Sequence, residues 1–286
     1  MKVSVIIPTY KSWDLLAKCL EALALQSYSG PYEVIVVNND VLHDIPSSLK
    51  NYKNVFFCQE LKPGSYAARN KGIKFSSGEI LAFTDADCIP QRDWLKSGVE
   101  KLVSTNAGIV GGDVKLFFRD PQNPTASEIY DSLTGFDQEG YIKEGHCITA
   151  NWFSYKNVIV ECGCFNSDLK SNGDSELSGK ISRKYKVLYD EYALVLHPAR
   201  FTVSSIITKY RRLLGGTYDR VYRTKQEGFG RYVANFIFRR IRFNLNLFLK
   251  FKLVKGVKVL YIHFFLFPAL IKEYFNIMKT GQTERL

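Results

Sequence analysis

Two aspartates one residue apart are the sharpest chemical signal in the sequence. Asp85 and Asp87 follow the apolar run at residues 80–83, so both carboxylates leave the end of a buried strand together. Two carboxylates in one place repel each other, and a divalent cation relieves that repulsion. Carboxylate oxygens suit Mg²⁺ and Mn²⁺, which keep positions for phosphate oxygens. The pair indicates either a metal–phosphate site or an exposed acidic turn, and these residues alone leave both open.

Polar side chains also follow the strand expected at residues 33–37. Asn38, Asn39 and Asp40 could hydrogen-bond a nucleobase or ribose hydroxyls, or they could form only a turn. The segment 64–72 predicts a helix entered through a glycine. Arg69 in this helix could reach a base or a phosphate, or it could lie on an exposed basic face.

Alternating strand and helix patterns would position these residues. The first 113 residues contain apolar, β-branched runs separated by stretches with helical spacing, which predicts an α/β layer with a mainly parallel sheet. We expect strands at 3–7, 33–37, 54–58, 79–83 and 108–114, and helices at 14–26, 64–75 and 90–104. In such sheets ligands bind at the carboxyl ends of the strands. The polar residues above lie at those ends.

Residues 115–200 are less regular. They predict a helix at about 127–138, a strand at 146–150 and a strand at 186–196. We expect residues 1–200 to form one domain in two halves, 1–113 for nucleotide and 114–200 for acceptor. Residues 201–286 would form a helical, basic and aromatic C-terminal region.

Two common classes of nucleotide-binding enzyme are disfavoured by motifs that the sequence lacks. The first strand runs into Pro8, Thr9 and Tyr10, where a dinucleotide-binding fold would have a Gly-x-Gly-x-x-Gly loop. The sequence also lacks Gly-x-x-x-x-Gly-Lys-Ser/Thr, so phosphate-loop chemistry is disfavoured.

Taken in order, these motifs resemble the family 2 glycosyltransferases, which have the GT-A fold. The resemblance rests on Pro8-Thr9-Tyr10, on the amides and acid after the second strand, on Ala68-Arg69-Asn70-x-Gly72 and on Asp85-Ala86-Asp87. It covers about residues 1–200. It implies a mixed, mainly parallel sheet flanked by helices, and an inverting transfer of a sugar from a nucleotide diphosphate, usually helped by Mn²⁺ or Mg²⁺.

The resemblance also assigns roles at matching positions. Residues of four motifs would bind the nucleotide, and Asp87 would hold the metal. The nucleotide-binding residues are Pro8, Thr9, Tyr10, Asn38, Asn39, Asp40, Arg69 and Asp85. A UDP-sugar is the first expectation for the donor, although amides stand where the family usually has an aspartate for the uracil.

An inverting transfer needs a general base on the acceptor hydroxyl. The family places it roughly 90 residues after the aspartate pair, where this sequence has Asp174, just before Glu176. We expect Asp174 to be the base, with Glu176 as the rival. Asp174 could equally cap a helix beginning at Ser175, and both roles are compatible.

Three further residues each carry two interpretations. His197 could complete the metal shell or be structural, since a histidine at a strand end is more often structural. Trp152 could stack on an acceptor sugar or pack in the core. Arg200 could contact phosphate or be solvated.

The positive charge lies in the C-terminal region. The chain has a net charge of +11, and residues 229–279 contain ten Lys or Arg and a single acid. Phenylalanine and leucine alternate with these cations, a pattern typical of helices in membrane interfaces. The alternative to membrane binding is a helical tail that packs on the catalytic domain or on a second subunit. An oligomer is therefore a further expectation. No motif indicates nucleic acid binding. The longest uncharged stretch, 259–271, is shorter than a conventional membrane crossing requires.

The family resemblance and the basic C-terminal region together imply a metal-dependent hexosyl- or N-acetylhexosaminyl-type glycosyltransferase of cell-surface polysaccharide synthesis. It would transfer to a glycan or a lipid-linked acceptor. Alternatives are a nucleotidyltransferase and an inactive, membrane-associated scaffold of the same fold. Absence of a signal-peptide pattern and six scattered cysteines fit a cytoplasmic protein, peripheral on the inner face of a bacterial-type membrane.

Overall fold

Eight strands form one mixed sheet in the computed structural model, which describes residues 1–283. The strands are β1 (Val3–Thr9), β2 (Tyr32–Asn38), β3 (Val55–Gln59), β4 (Ile80–Thr84), β5 (Ile89–Pro90), β6 (Ile109–Phe117), β7 (Asn151–Tyr155) and β8 (Val187–Pro198). Their order is β3-β2-β1-β4-β7-β6-β8-β5. The first four run parallel, and β7 joins β4 antiparallel. The predicted mixed α/β sheet is confirmed.

Ten α-helices surround or follow the sheet. They are α1 (Trp13–Ala24), α2 (Ser65–Phe75), α3 (Trp94–Thr105), α4 (Ala126–Thr134), α5 (Gln138–Lys143), α6 (Lys156–Glu161), α7 (Gly173–Ile181), α8 (Val203–Thr217), α9 (Phe229–Leu249) and α10 (Leu253–Thr280). This count covers residues 1–283. The strands β1, β2 and β4 are almost entirely buried, as their continuous apolar runs require.

One predicted strand is wrong. Residues 146–150 are not a strand, and the strand that pairs with β4 begins one residue later, at Asn151. Side chains satisfy the backbone of the earlier segment: Cys147 N–H donates to Ser178 Oγ at 3.0 Å, and Ile148 N–H donates to Gln138 Oε1 at 3.0 Å. Because side chains satisfy these two N–H groups, they need no hydrogen bonds to a neighbouring strand.

Two predicted helices have different bounds. The helix expected from residue 90 begins at Trp94, because Ile89 and Pro90 pair with β8. The helix expected at 127–138 ends at Thr134, and α5 begins only at Gln138. Both differences lie at a proline or in a loop, where the sequence pattern defines the end of a helix poorly.

The chain divides into two units. The first comprises residues 1–115, 136–168 and 173–197, and the second comprises 116–135, 169–172 and the chain from Pro198 onward. The core of the first unit lies between the sheet and helices α1 and α3. The second has its own apolar core, built on α4, α8, α9 and α10. The proposed domain bounds at residues 113 and 200 stay a prediction.

Helix α10 is longer than the uncharged stretch suggested. It has 28 residues, and by length and mean hydropathy (1.6) it would be able to cross a membrane. The apolar part of this helix therefore extends beyond the uncharged stretch at 259–271. A core helix of a soluble protein would meet the same criteria. In α10, a third of the most apolar 18-residue window is buried within the protein.

Candidate active site

The two aspartates after β4 are engaged by different partners. A tight turn, closed by the hydrogen bond from Cys88 N–H to the Asp85 carbonyl at 3.0 Å, separates their side chains. Asp85 forms an ion pair with the Arg69 guanidinium, while Asp87 Oδ2 lies 3.3 Å from His197 Nε2. Both aspartate side chains remain about one third exposed. The turn therefore presents two carboxylates, and each has its own neighbour: Arg69 for Asp85 and His197 for Asp87.

Negative charge is concentrated beside this turn. Burial raises the pKa of the Cys19 thiol, and the carboxylates of Asp87 and Asp85 raise it further. Burial and the same two carboxylates raise the pKa of the Cys88 thiol as well. Both thiols are thus held protonated and inert. The local field favours a cation at this strand end.

A divalent cation fits the Asp87–His197 pair. A carboxylate oxygen and an imidazole nitrogen already lie 3.3 Å apart, and both donor types suit Mn²⁺. Among residues 1–283, no group of three or more His, Cys, Asp or Glu side chains converges as a metal cage. A cation held by Asp87 and His197 would need substrate phosphates and water to complete its shell.

Helix α2 carries the residue that pairs with Asp85. The helix follows Gly64, whose φ of 120° lies in a region that favours glycine. Arg69 is buried, and its Nε has no hydrogen-bond partner among the described residues. Its guanidinium also lies 5.8 Å from the centre of the Tyr66 ring, one turn earlier on α2. Arg69 is therefore fixed between a carboxylate and an aromatic face.

The predicted base contacts the same helix. Asp174 Oδ1 accepts hydrogen bonds from the Tyr66 hydroxyl at 3.2 Å and from Ser175 N–H at 2.9 Å. The helix that contains it begins at Gly173 rather than at Ser175. A Cβ on Gly173 would lie 2.7 Å from the Tyr66 ring, so only glycine allows this approach.

The rival base is held differently. Glu176 Oε1 lies 3.0 Å from Lys180 Nζ, one turn later on α7. Its other oxygen is buried and has no hydrogen-bond partner among residues 1–283. Glu176 is thus tied to its own helix, whereas Asp174 is bonded across to α2.

The three polar residues after β2 bond within their own loop and to the loop that precedes α2. Asn38 is buried, donating to the His43 carbonyl at 2.9 Å and accepting from Asp40 N–H at 2.9 Å. Asn39 donates to the Glu60 and Lys62 carbonyls, both at 2.8 Å, and accepts from Gly64 N–H at 2.6 Å. These bonds support the turn interpretation and also tie the end of β2 to the start of α2.

Asp40 completes that loop. Its carboxylate accepts from Leu42 N–H at 3.0 Å and lies 2.7 Å from His43 Nδ1. Burial alone would raise the pKa of Asp40, but these two contacts outweigh it and the pKa is lowered. Asp40 therefore stays ionised at neutral pH.

The end of β1 lies beside the end of β2. Thr9 pairs with Asn38 in the sheet, and Asn39 N–H donates to the Thr9 carbonyl at 2.9 Å. Thr9 is buried with a hydroxyl that has no partner among the described residues, and Tyr10 is 56% exposed. Pro8 is half-buried one residue before. This strand end thus offers one aromatic face to solvent.

Two predicted acceptor-side residues have other contacts. Trp152 is fully buried, with its ring edge-to-face against Phe83 at 6.2 Å and Phe165 at 5.9 Å. Arg200, in the second unit, pairs with Asp131 at 3.1 Å. These contacts favour core packing for Trp152, and they show Arg200 in an ion pair rather than simply solvated. The acceptor and phosphate roles stay predictions.

Sequence reasoning assigned no role to two residues of α2. Tyr66 contacts Asp174, and Asn70 clamps the backbone of Phe165, donating to its carbonyl at 2.7 Å and accepting from its N–H at 3.0 Å. Both lie within one turn of Arg69. That spacing on one helix face was the available signal.

The comparisons with known proteins decide the family. Residues 4–163 match the glycosyl transferase family 2. Glycosyltransferase AglE of Haloferax volcanii is 36% identical over 206 residues, 69% of this chain and 67% of that protein. The chain belongs to glycosyl transferase family 2. A second relative of this family 2 chain is the glucosyl-dolichyl phosphate glucuronosyltransferase of Haloferax volcanii, 22% identical over 87% of this chain and 82% of that protein.

Solved structures share the fold of this family 2 glycosyltransferase. The mannosyltransferase PcManGT of Pyrobaculum calidifontis, in complex with GDP-Man and Mn²⁺, superposes with a TM-score of 0.59 at 22% identity, over 77% of this chain and 64% of that one. S. aureus TarS 1-349 with UDP-GlcNAc gives 0.54 at 19% identity, over 76% and 67%. At these identities the likeness shows the GT-A type of fold alone.

Proposed function

We propose that this family 2 enzyme transfers a sugar, with inversion, from a nucleotide diphosphate sugar to a hydroxyl of a glycan or lipid-linked acceptor. The donor would be a UDP-linked hexose or N-acetylhexosamine, and the product a cell-surface polysaccharide. One relative above is named as a glucosyl-dolichyl phosphate glucuronosyltransferase, and two structural neighbours hold nucleotide sugars. These names support the proposal by analogy.

The observation that carries the proposal is a continuous line of contacts in the first unit. Asp174 bonds to Tyr66, Arg69 lies over the Tyr66 ring, and Arg69 pairs with Asp85. A carboxylate able to take a proton thus lies a few side chains from the strand end that would bind the diphosphate. General-base catalysis requires such proximity.

The chemical step would use Asp174 as the base. Asp174 takes the proton of the acceptor hydroxyl, and the acceptor oxygen forms a bond to the anomeric carbon. The bond from that carbon to the diphosphate oxygen breaks on the opposite face, and the nucleotide diphosphate leaves with the electron pair. Attack opposite to departure inverts the anomeric centre.

Asp87 and His197 would hold a divalent cation beside the leaving group. When bound, Mn²⁺ or Mg²⁺ would supply positive charge against the charge that develops on the diphosphate. Arg69 would add a fixed cation on the other side of the turn, and Asp85 would contact the ribose. Thr9 and Tyr10, with Pro8, would line the nucleotide pocket. The nucleobase end of that pocket would be formed by Asn38, Asn39 and Asp40.

The basic C-terminal region would bring this enzyme to an anionic membrane surface as a peripheral protein of the inner face. Helix α10 buries one face and exposes another, which carries Val257, Tyr261, Phe264, Phe265 and Ile271. The buried face includes Glu273, which is paired with Arg211 at 2.7 Å. A helix with one packed face and one apolar exposed face suits the plane of an interface.

Thermal unfolding with UDP, GDP, CDP and dTDP, each with Mn²⁺ or with EDTA, tests the donor site. A ligand at about 100 times its dissociation constant stabilises a protein by about 2.7 kcal/mol, which raises the melting temperature by several degrees. We expect a rise with one diphosphate that is lost in EDTA and in Asp87→Ala. No rise with any nucleotide would favour the inactive scaffold.

A further inference from the structure

A groove opens on the second unit beside α9. It has a volume of about 530 Å³ and lies between a π-helical turn, Tyr218–Tyr222, and the first half of the helix. Its lining includes Tyr222, Arg231, Tyr232, Asn235, Phe238 and Arg239. Positions 231, 235 and 239 repeat at about one helical turn, so they share one face of α9. π-Helical turns are rare and are frequently found at functional sites.

The groove is cationic. Two arginines line it and no acid does, and Glu227, its neighbour in sequence, is not among its lining residues. Other arginines of this unit are engaged: Arg211 with Glu273 and Arg223 with Asp219. Within residues 1–283, no carboxylate pairs with Arg231 or Arg239. Exposed arginines that line one groove without acids are typical of phosphate-binding sites.

The wall of the groove is a fixed aromatic cluster. Tyr222 packs on buried Phe229 at 5.3 Å and on Tyr232 at 5.9 Å, while Tyr232 stacks on Phe229 at 6.4 Å. Gly228, with φ at 88°, turns the chain into α9 beneath this wall. Packed rings thus form one wall of the groove, and exposed side chains of α9 form the rest of its lining.

An apolar stripe continues from the groove. Phe238 is 64% exposed in the lining, and Ile241, Leu245 and Leu249 follow it at helical spacing, each exposed. A soluble anion would use the arginines but would leave this stripe in water. A phosphate attached to a hydrocarbon chain uses both features.

We propose that this groove binds the phosphate of a phosphorylated lipid. Arg231 and Arg239 hold the phosphate oxygens, and the side-chain amide of Asn235 donates a further hydrogen bond to them. Phe238 and Tyr232 contact the first carbons of the chain. The site goes beyond the proposed transfer reaction. It uses no residue of the candidate active site, so either proposal can fail without the other.

Calorimetric titration of the full chain with dihexanoyl phosphatidic acid, below its micelle concentration, tests the site. Inorganic phosphate and dihexanoyl phosphatidylcholine are the comparison ligands. We expect saturable binding of the phosphatidic acid that is about tenfold weaker in Arg231→Gln/Arg239→Gln, because two charged hydrogen-bond donors are lost. The control Lys272→Gln/Lys279→Gln removes the same charge from exposed positions of α10, and should change the affinity less than about twofold.

Three results would overturn the proposal. The first is that the unaltered chain shows no saturable binding of dihexanoyl phosphatidic acid. The second is that it binds inorganic phosphate as tightly as it binds the phosphatidic acid. The third is that the arginine and the lysine double variants lose the same amount of affinity. Equal affinity would mean a simple anion site, and equal loss would mean diffuse attraction to the basic region. Because Arg231, Arg239 and both control lysines are exposed, all variants should keep the melting temperature of the unaltered chain.

Discussion

The hydroxyl of Tyr66 donates a hydrogen bond to the carboxylate of Asp174 at 3.2 Å. Tyr66 lies on α2 and Asp174 on α7, so this bond joins the helix that follows the nucleotide-side loops to the helix that carries the candidate base. Burial raises the pKa of the Tyr66 phenol, and the Asp174 carboxylate raises it further. The phenol therefore remains a donor throughout the physiological pH range, and it orients the carboxylate.

Tyr66→Phe should lower kcat about tenfold while leaving the KM for the donor within about twofold. The change removes one hydrogen bond to a charged group, worth about 1.5 kcal/mol or more, and keeps the ring that packs on Phe165. Steady-state kinetics with a donor identified by the unfolding screen would measure both constants. An unchanged kcat would mean that the bond does not position Asp174 for the reaction.

Arg69→Gln should destabilise the protein by about 2 kcal/mol, because it leaves Asp85 beside a neutral side chain in a mostly buried setting. Denaturant unfolding measures the loss. The control Lys74→Gln removes a cation from an exposed position of the same helix and should stay within about 0.5 kcal/mol. Similar losses in both variants would contradict a specific role for the Arg69–Asp85 pair.

The fold and the strand-end residues were predictable because both follow from local patterns. Buried parallel strands need continuous apolar runs, and Asp85 and Asp87 follow such a run directly. The contact of Asp174 with Tyr66 spans 108 residues and depends on how α7 packs. No local pattern carries that information. The misplaced strand at 146–150 has a similar cause, since side chains outside that segment, those of Gln138 and Ser178, satisfy its backbone.

Acid should destabilise the protein partly through Glu33, at the opposite end of the sheet. Burial alone would raise the pKa of Glu33, but hydrogen bonds from Ser4, Lys2 and Ser77 outweigh it and lower the pKa to about 2. In the unfolded chain the same group titrates near 4.5. The unfolded state therefore takes up a proton first as the pH falls, and the stability contributed by Glu33 is lost between about pH 4.5 and pH 2.

Denaturant unfolding at pH 6 and at pH 3 measures this effect. Glu33→Gln should be less stable than the unaltered chain at pH 6, and the difference should shrink at pH 3. Glu79→Gln, at an exposed position, serves as the control and should show no such pH dependence. A constant difference between Glu33→Gln and the unaltered chain would refute the assignment.

Phe264→Asp should abolish most binding to vesicles that contain anionic lipid. Phe264 is 72% exposed on the outer face of α10, and burying a phenylalanine in the interface contributes about 1.5–3 kcal/mol. Flotation with phosphatidylglycerol vesicles gives the bound fraction. Phe75→Asp, at a 60% exposed position of the first unit, should float like the unaltered chain. Equal flotation of Phe264→Asp and the unaltered chain would argue against this face.

Asp174→Asn tests the central claim most directly, because it removes the base and keeps the size of the side chain. Sugar transfer and nucleotide diphosphate binding should be measured on the same preparation. We expect transfer to fall by about 10²–10⁴-fold, while the nucleotide still raises the melting temperature as in the unaltered chain. Transfer at a near-normal rate by Asp174→Asn would contradict the account and direct attention to Glu176.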